Sequence, residues 1–527
     1  MSPRDWVTVD PGGPYFVADG ERWFPSGWCC ARPEVLTSSD LERMAAAGCN
    51  TVRLWPDHNE TGVLPDSLPE VVRQAGALGI RTSVTMLNLG ELSDLFIDQP
   101  NLKRLPNAYR EICETPQELL TSEAARDLSR RRIDGYLDLL GDSPDVWSWV
   151  VCSQLDGVYQ APTKVLDDFT ADLASHVAAE EDRRFGAQRR RTVTSFDPLP
   201  VWDSVYSSPE LDLVGLHCYS PSVYSPVDGL QAAWEIALTT AAACRRRPAG
   251  RPVLCMEYGS ILHLFLPDHP MLPADLLRRW RRNTCVAHLC AGGAGGPLLV
   301  PPAVSDAPDA TGLEVTGLAD QVRPTPRVVP HQLEHEERAF RRLLQDPLLQ
   351  TIKGDPLPIG APDGTLAVAC GSDDDGSLLL WIAADTRIAE RHNLVWRALE
   401  GDPGVSPLLG YDAGSALVEA CGAALWNPGS RQAIGKLMAK DLHDVATERI
   451  DAGLDKIRWL LESLELPARP SDLGGVAVKL PGPHGRRRFR CYDPSSGEVV
   501  ASGTTSCELV LPELAAAMVA VDPAATR

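Results

Sequence analysis

The sequence predicts a (β/α)8 barrel followed by a C-terminal β-sandwich. Three observations carry that reading. Short apolar runs alternate with capped, amphipathic stretches through residues 1–330, the pattern of a parallel sheet clothed in helices. The repeats number eight, which fits a closed barrel of roughly 250 residues or more. Beyond about residue 360 the pattern changes to short apolar strands separated by turns such as DDDG and DPSSG, the mark of antiparallel sheet. An open doubly wound sheet usually carries a Gly-rich phosphate turn after its first strand, and GWCCARP at 27–33 is not one.

The elements follow in order. RWFPSGWCC (22–30) reads as the first strand. Ser39 and Glu42 have capping-box spacing before the helix LERMAAAG, which ends at Gly48. NTVRLW (50–55) is the second strand, LPEVVRQAGALG (68–79) a helix closed by Gly79, and IRTSVTMLN (80–88) the third strand. A loop with prolines at 100, 106 and 116 precedes a helix at 122–140. VWSWVVCSQ (146–154) is the fourth strand, 163–181 a helix, and TVTSF (192–196) and LDLVGLHCY (211–219) the fifth and sixth strands. A helix over 229–245, the strand PVLCMEYG (252–259), a helix at 274–288 and the run HLCAGGAGGPLLV (288–300) complete the eight.

Domain boundaries follow from the same pattern. Residues 1–330 form the barrel, ending in a proline-rich stretch, 300–330, expected to lie over the barrel mouth. Residues 331–360 form a helical connector, with a helix at 332–346. Residues 361–527 form the sandwich, interrupted by a helical insertion at about 411–466. In the insertion, Ile450, Leu454, Ile457, Leu461 and Leu464 recur at helical spacing. Such a face packs on its own chain or on a second subunit, so a homo-oligomer is one expectation.

Bulk composition narrows the partners. The chain has 527 residues, 44% of them hydrophobic and 23% charged, with a formal net charge of −21. That charge argues against nucleic acid and anionic membranes, which need clustered Lys and Arg. The basic runs at 130–132, 189–191, 245–247 and 486–488 read as solvated faces. No apolar stretch approaches the ~18 residues that span a bilayer, and MSPRDWVTVDPGG lacks a signal-peptide core. The 14 cysteines include no CxxC pair, and Cys152, Cys218, Cys255 and Cys370 sit inside apolar strands. Buried free thiols in a reducing, cytoplasmic setting are the expectation, with no metal and no cofactor. The partner expected is a small molecule.

Catalytic groups of a barrel lie at the C-terminal ends of its strands. Position alone therefore singles out Arg53, Gln154, His217, Tyr219 and Glu257. At these residues the chain resembles clan A of the retaining glycoside hydrolases, near the cellulase and β-mannanase branches, over roughly residues 14–300. GCNTVRLW matches the family's second strand, whose arginine sits beside the nucleophile, here Arg53. LHCY matches the sixth strand and implies substrate-binding and nucleophile-supporting roles for His217 and Tyr219. RPVLCMEYG matches the seventh and implies Glu257 as nucleophile.

The fourth strand departs from the family. The resemblance implies Asn-Glu after the strand, the asparagine binding the sugar 2-hydroxyl and the glutamate serving as acid/base. Alignment on Trp149 puts Ser153 and Gln154 there. The eighth-strand tryptophan is also missing, with Leu298, Leu299 and Val300 in its place. A retaining glycosidase needs two carboxyls about 5–5.5 Å apart, and an amide cannot transfer a proton. General acid–base help is worth about 10²–10⁴-fold. A glycosidase survives without it when the leaving group departs unaided, as an acidic phenol, enol or thiohydroximate does.

Alternatives stand beside these assignments. Glu257 could be a surface carboxylate, Arg53 a structural ion-pair partner, and His217 and Tyr219 satisfied core residues. Asp156 and Asp197, on the loops after strands four and five, could supply a displaced acid or serve as turn caps. Trp55, Tyr159, Trp202 and Tyr224 could stack on sugar or pack the rim. Three functions remain: a divergent glycosidase acting on an activated glycoside, a barrel repurposed for non-hydrolytic chemistry in small-molecule biosynthesis, and a non-catalytic sugar-binding protein.

Overall fold

The computed structural model describes residues 6–30, 36–56, 64–87, 109, 112–113, 116–153, 163–186, 189–195, 206–218, 229–258, 274–299, 333–360, 362, 365–384, 472–482 and 485–524. The proline-rich stretch 300–330 and the insertion expected at 411–466 lie outside these residues.

Residues 22–30 divide into two elements rather than one strand. The strands β1 (Thr8–Val9), β2 (Phe16–Ala18) and β3 (Glu21–Trp23) form a small antiparallel sheet, and β4 (Gly27–Cys30) then opens the barrel. Pro25 lies between β3 and β4 and lacks the N–H a continuous ladder needs. Gly27 permits close approach at the first barrel contact, since a Cβ there would stand 1.8 Å from the Thr51 carbonyl oxygen. The small sheet floors the N-terminal end of the barrel. Trp147 meets the rings of Phe16 and Trp23 edge-on, each at 5.1 Å, and donates its indole N–H to Thr51 Oγ1.

Helix α1 (Ser38–Ala47) follows β4. Its cap is Thr37 with Asp40, two residues earlier than the expected Ser39 and Glu42. The Thr37 hydroxyl accepts the Asp40 N–H, and the Asp40 carboxylate accepts the Thr37 N–H at 3.0 Å. An aspartate at the third position closes the box as a glutamate would. Gly48, at φ 93°, ends the helix.

The barrel continues with β5 (Thr51–Leu54), α2 (Leu68–Ala77), β6 (Arg81–Thr85), α3 (Pro116–Thr121), α4 (Glu123–Leu140), β7 (Val146–Cys152), α5 (Thr163–Phe185), β8 (Arg190–Ser195), β9 (Val214–Cys218), α6 (Gly229–Arg246), β10 (Val253–Tyr258) and α7 (Ala274–Cys290). Helix α3 begins at Pro116, which suits a first-turn position because it has no N–H to leave unpaired. β4 to β10 form one parallel sheet in sequence order. The run expected as strand eight from 288 is helical to Cys290, and only its end is extended. Leu299 there bridges Trp28 of β4 and Tyr258 of β10, so the sheet closes into a (β/α)8 barrel.

A buried arginine fastens this seam. Arg281 of α7 donates to the Tyr258 hydroxyl at 2.8 Å and to the Pro297 carbonyl at 2.6 Å, and ion-pairs with Glu337 of α8 (Glu334–Leu343).

The C-terminal region holds β11 (Asp355–Leu357), β12 (Thr365–Gly371), β13 (Leu378–Ala384), β14 (Ala477–Lys479), β15 (Arg487–Asp493), β16 (Glu498–Thr505), β17 (Glu508–Val510) and β18 (Ala516–Val521). Six of these form an antiparallel sheet, ordered β11-β12-β13-β18-β15-β16, and β14 pairs with β17. Alternation sorts the two faces. Leu379, Trp381 and Ala383 cluster with Leu289 and Cys290 of α7, while Leu378, Leu380 and Ile382 cluster with Val478 and Leu509 of the β14–β17 pair.

The basic runs at 189–191 and 486–488 are not simply solvated. Arg189 is buried against Glu181, and Arg190 and Arg191 both pair with Asp212. Arg487 is 1% exposed and donates to the carbonyls of Gly376, Pro481 and Ser506. These arginines fasten strand ends that carry opposing charge or open carbonyls. The cysteines whose side chains are described are free thiols, most of them buried. Among the described residues no helix is long and apolar enough to cross a membrane, and no group of three His, Cys, Asp or Glu could hold a metal ion.

Candidate active site at the carboxyl ends of the barrel strands

Residues paired across a parallel sheet share a face, so the register identifies the lumen. Cys29, Arg53 and Ser83 are aligned, and Ser83 continues to Ser148. On the other side Thr194, Gly215 and Leu254 are aligned. Two β-bulges then decide what reaches the centre.

In β10, Cys255 pairs with Leu216 and Glu257 with His217, so Met256 is an extra residue. A continuous register would put Glu257 opposite Cys218, on the outer face; the bulge turns it inward beside His217. The bulge leaves the Met256 carbonyl outside the ladder, and two lumen side chains satisfy it. Cys29 Sγ donates to it at 3.0 Å and Arg53 Nη1 at 3.3 Å. In β7, Val150 pairs with Thr192 and Cys152 with Val193, leaving Val151 extra. That bulge delivers Ser153 to Thr194, whose hydroxyl donates to Ser153 Oγ at 3.2 Å.

The centre is a buried cluster around one carboxylate. Arg53, His217 and Glu257 are each 0% exposed and Ser153 1%, so their charges are little screened by solvent. Arg53 Nη1 ion-pairs with Glu257 Oε1, and His217 Nε2 lies 2.8 Å from the same oxygen. A carboxylate only accepts, so His217 carries its hydrogen on Nε2. The 3.2 Å approach of Arg53 Nη1 to that nitrogen is then a contact of two donors sharing one acceptor. Arg53 places its other donors on Thr85 Oγ1 at 3.1 Å, through Nε, and on Ser153 Oγ at 2.9 Å, through Nη2. The half-buried Trp55 ring covers the guanidinium at 5.1 Å, and its buried indole N–H has no hydrogen-bond partner among the described residues.

The candidates divide accordingly. Arg53, Ser153, His217 and Glu257 form one hydrogen-bonded group. Gln154, Asp156, Asp197 and Tyr219 lie outside the described residues, as do Tyr159, Trp202 and Tyr224. Ser153 accepts a hydrogen bond from Arg53. Thr85, Thr194 and Cys29 also take part and escaped the reading of the sequence. The polar residues Arg81, Ser83 and Thr85 at alternate positions of β6 were the available signal for Thr85.

Beneath the strands, His288 of α7 shares its Nδ1 hydrogen with Thr240 Oγ1 at 2.7 Å, while its Nε2 accepts the Cys255 N–H at 3.4 Å. That acceptor role requires the neutral ring, and burial pushes its pKa down to about 3.

Chemically, the cluster presents a carboxylate approached by two donors on one oxygen, at the carboxyl ends of the barrel strands. No family model and no curated protein matches the chain. Solved structures similar to it include the endo-1,4-β-mannanase of Rhizomucor miehei, at 14% identity and TM-score 0.43, over 56% of this chain and 90% of that one. An endo-β-1,4-mannanase from Thermotoga petrophila aligns at 12% identity and TM-score 0.43, over 69% of this chain and 96% of that one. A β-glucuronidase from an uncultured Clostridium aligns at 14% identity and TM-score 0.38, over 57% of this chain and 48% of that one. At scores this low a likeness does not assign a family.

Proposed function

We propose that this protein is a divergent retaining glycoside hydrolase-like enzyme that acts on a small, activated glycoside, with Glu257 as its nucleophile. The observation that carries the reading is the buried carboxylate of Glu257, held by Arg53 and His217 at the carboxyl end of a parallel barrel. Such a carboxylate attacks the anomeric carbon, the leaving group takes the bonding electron pair, and a glycosyl ester forms on Glu257. Water then cleaves that ester. Arg53 and His217 keep the attacking group ionised and aimed.

Gln154 stands where the resemblance puts the acid/base, and an amide neither gives nor takes the proton. The leaving group must therefore be stable as an anion, and the second step must run on water without a strong base. Polymer hydrolysis is not expected from such a site: turnover of cellulose and mannan should stay well below the ~1 s⁻¹ of ordinary enzymes.

Kinetics on aryl glycosides tests this. Wild type should cleave those with acidic phenols and be accelerated by azide, which needs no general base. Gln154→Glu should gain on poorer leaving groups, by up to about 10²–10⁴-fold, with a nearly unchanged melting temperature. A second reading draws on the Arg53–Glu257 ion pair, which also suits a base in non-hydrolytic, small-molecule chemistry. That reading gives no aryl glycoside turnover, no azide effect and no gain from Gln154→Glu.

A further inference from the structure

We infer that Ser153 is a positioning residue for Glu257, acting through Arg53. The inference rests on Glu257 being the reacting group. Its basis is the direction of the hydrogen bonds. Arg53 is wholly buried, and its Nη2 spends a donor on Ser153 Oγ at 2.9 Å. Thr194 donates to the same Oγ at 3.2 Å. Ser153 therefore receives two hydrogen bonds from the scaffold, and its backbone N–H is fixed on the Leu87 carbonyl at 2.8 Å.

The consequence is mechanical. A guanidinium is a rigid planar fork. Fixing Nε on Thr85 and Nη2 on Ser153 fixes where Nη1 points, and Nη1 is the group that meets Glu257 and the bulge carbonyl of Met256. Thr194, Ser153, Arg53 and Glu257 thus form one chain linking β8, β7, β5 and β10 across the lumen. The bulge at Val151 brings Ser153 into this chain, as the bulge at Met256 brings Glu257. Removing the Ser153 hydroxyl frees one arm of the fork, so the carboxylate loses its aim while the pocket keeps its substrate contacts.

Two readouts test this, one independent of turnover. In 15N NMR, wild-type Arg53 should show separate Nη1 and Nη2 signals, identified by their loss in Arg53→Lys. Ser153→Ala should merge them by freeing rotation; Thr194→Val should do so partly, and Thr194→Ser, which keeps the hydroxyl, should leave them separate. With an activated aryl glycoside, Ser153→Ala should lower kcat about tenfold with KM unchanged, within the range seen when a positioned group shifts. Signals that stay separate in Ser153→Ala, or a raised KM with kcat unchanged, would overturn the assignment. Thr194→Val and Thr194→Ser decide the same question if Ser153→Ala does not fold. Merged signals in Ser153→Ala, with no glycoside cleaved by wild type, would leave the clamp standing and remove the glycosidase reading.

Discussion

Replacing Glu337 with glutamine should cost about 3 kcal/mol of stability, and the structure says why the figure is not smaller or larger. Arg281 and Glu337 are each 1% exposed, so neither can turn to water when its partner changes. Breaking a buried pair by removing one partner typically costs about 3–5 kcal/mol, because a buried charge is left uncompensated. Two features place Glu337→Gln at the lower end. The amide keeps an oxygen that can accept from Arg281. The guanidinium also retains the Tyr258 hydroxyl and the Pro297 carbonyl, at 2.8 and 2.6 Å. Glu337→Ala removes the acceptor as well and belongs near the upper end. The double variant Arg281→Met/Glu337→Leu leaves no buried charge and should be more stable than Glu337→Ala alone. Urea unfolding followed by tryptophan fluorescence reads this, with Trp280 packed edge-on against Tyr258 as a local reporter. A loss below about 1 kcal/mol for Glu337→Gln, in the range of a surface pair, would refute the account of the seam. So would a double variant as unstable as the sum of its singles.

Further outcomes follow from other buried groups. His288, depressed to about 3 by burial, stays neutral in the fold while the unfolded chain takes up a proton below about 6.5. The unfolded state then binds more protons, so stability should fall as pH drops from 6.5 towards 3, by about 1.4 kcal/mol per pH unit from this group. Urea midpoints at pH 7 and pH 5 should show a loss of about 2 kcal/mol that His288→Gln, though less stable at pH 7, no longer shows. Asp346 accepts from Arg490 and Tyr492 of β15, so Asp346→Ala should cost about 3 kcal/mol. Differential scanning calorimetry should find the change in the transition of the C-terminal sheet. Arg487→Met leaves the carbonyls of Gly376, Pro481 and Ser506 without their donor and should cost about 1–3 kcal/mol or more.

The fold was legible where the sequence used local devices. Gly48 and Gly79 closed helices, and apolar runs such as VLCMEY marked strands buried on both faces. Boundaries slipped where two signals competed. Thr37-Asp40 and Ser39-Glu42 both have capping-box spacing, and only the folded chain shows which closes. RWFPSGWCC was continuous in hydropathy but divided at Pro25. The arginine runs misled because charge alone does not say whether an acidic partner sits across the fold, as Glu181 and Asp212 do.

At the site, the strand-end rule reached Arg53, His217 and Glu257 but not how they meet. That depends on bulges at Val151 and Met256, and a one-residue insertion in a strand leaves no mark in hydropathy. The bulge also brings Ser153 to Arg53, a contact that strand position alone does not show. Thr194 was hard to pick out as a site residue because threonine is common in strands for its shape.

The central claim is that Glu257 forms a covalent bond to a sugar. The most direct measurement is intact-mass analysis of the protein after incubation with 2-deoxy-2-fluoro glycosyl donors bearing dinitrophenolate or fluoride leaving groups. The account predicts a single added fluorosugar, mapped by peptide digestion to Glu257 and absent in Glu257→Gln. A protein that stays unmodified with gluco-, manno- and glucurono-configured donors alike, while Arg53 and Glu257 remain paired, would contradict it.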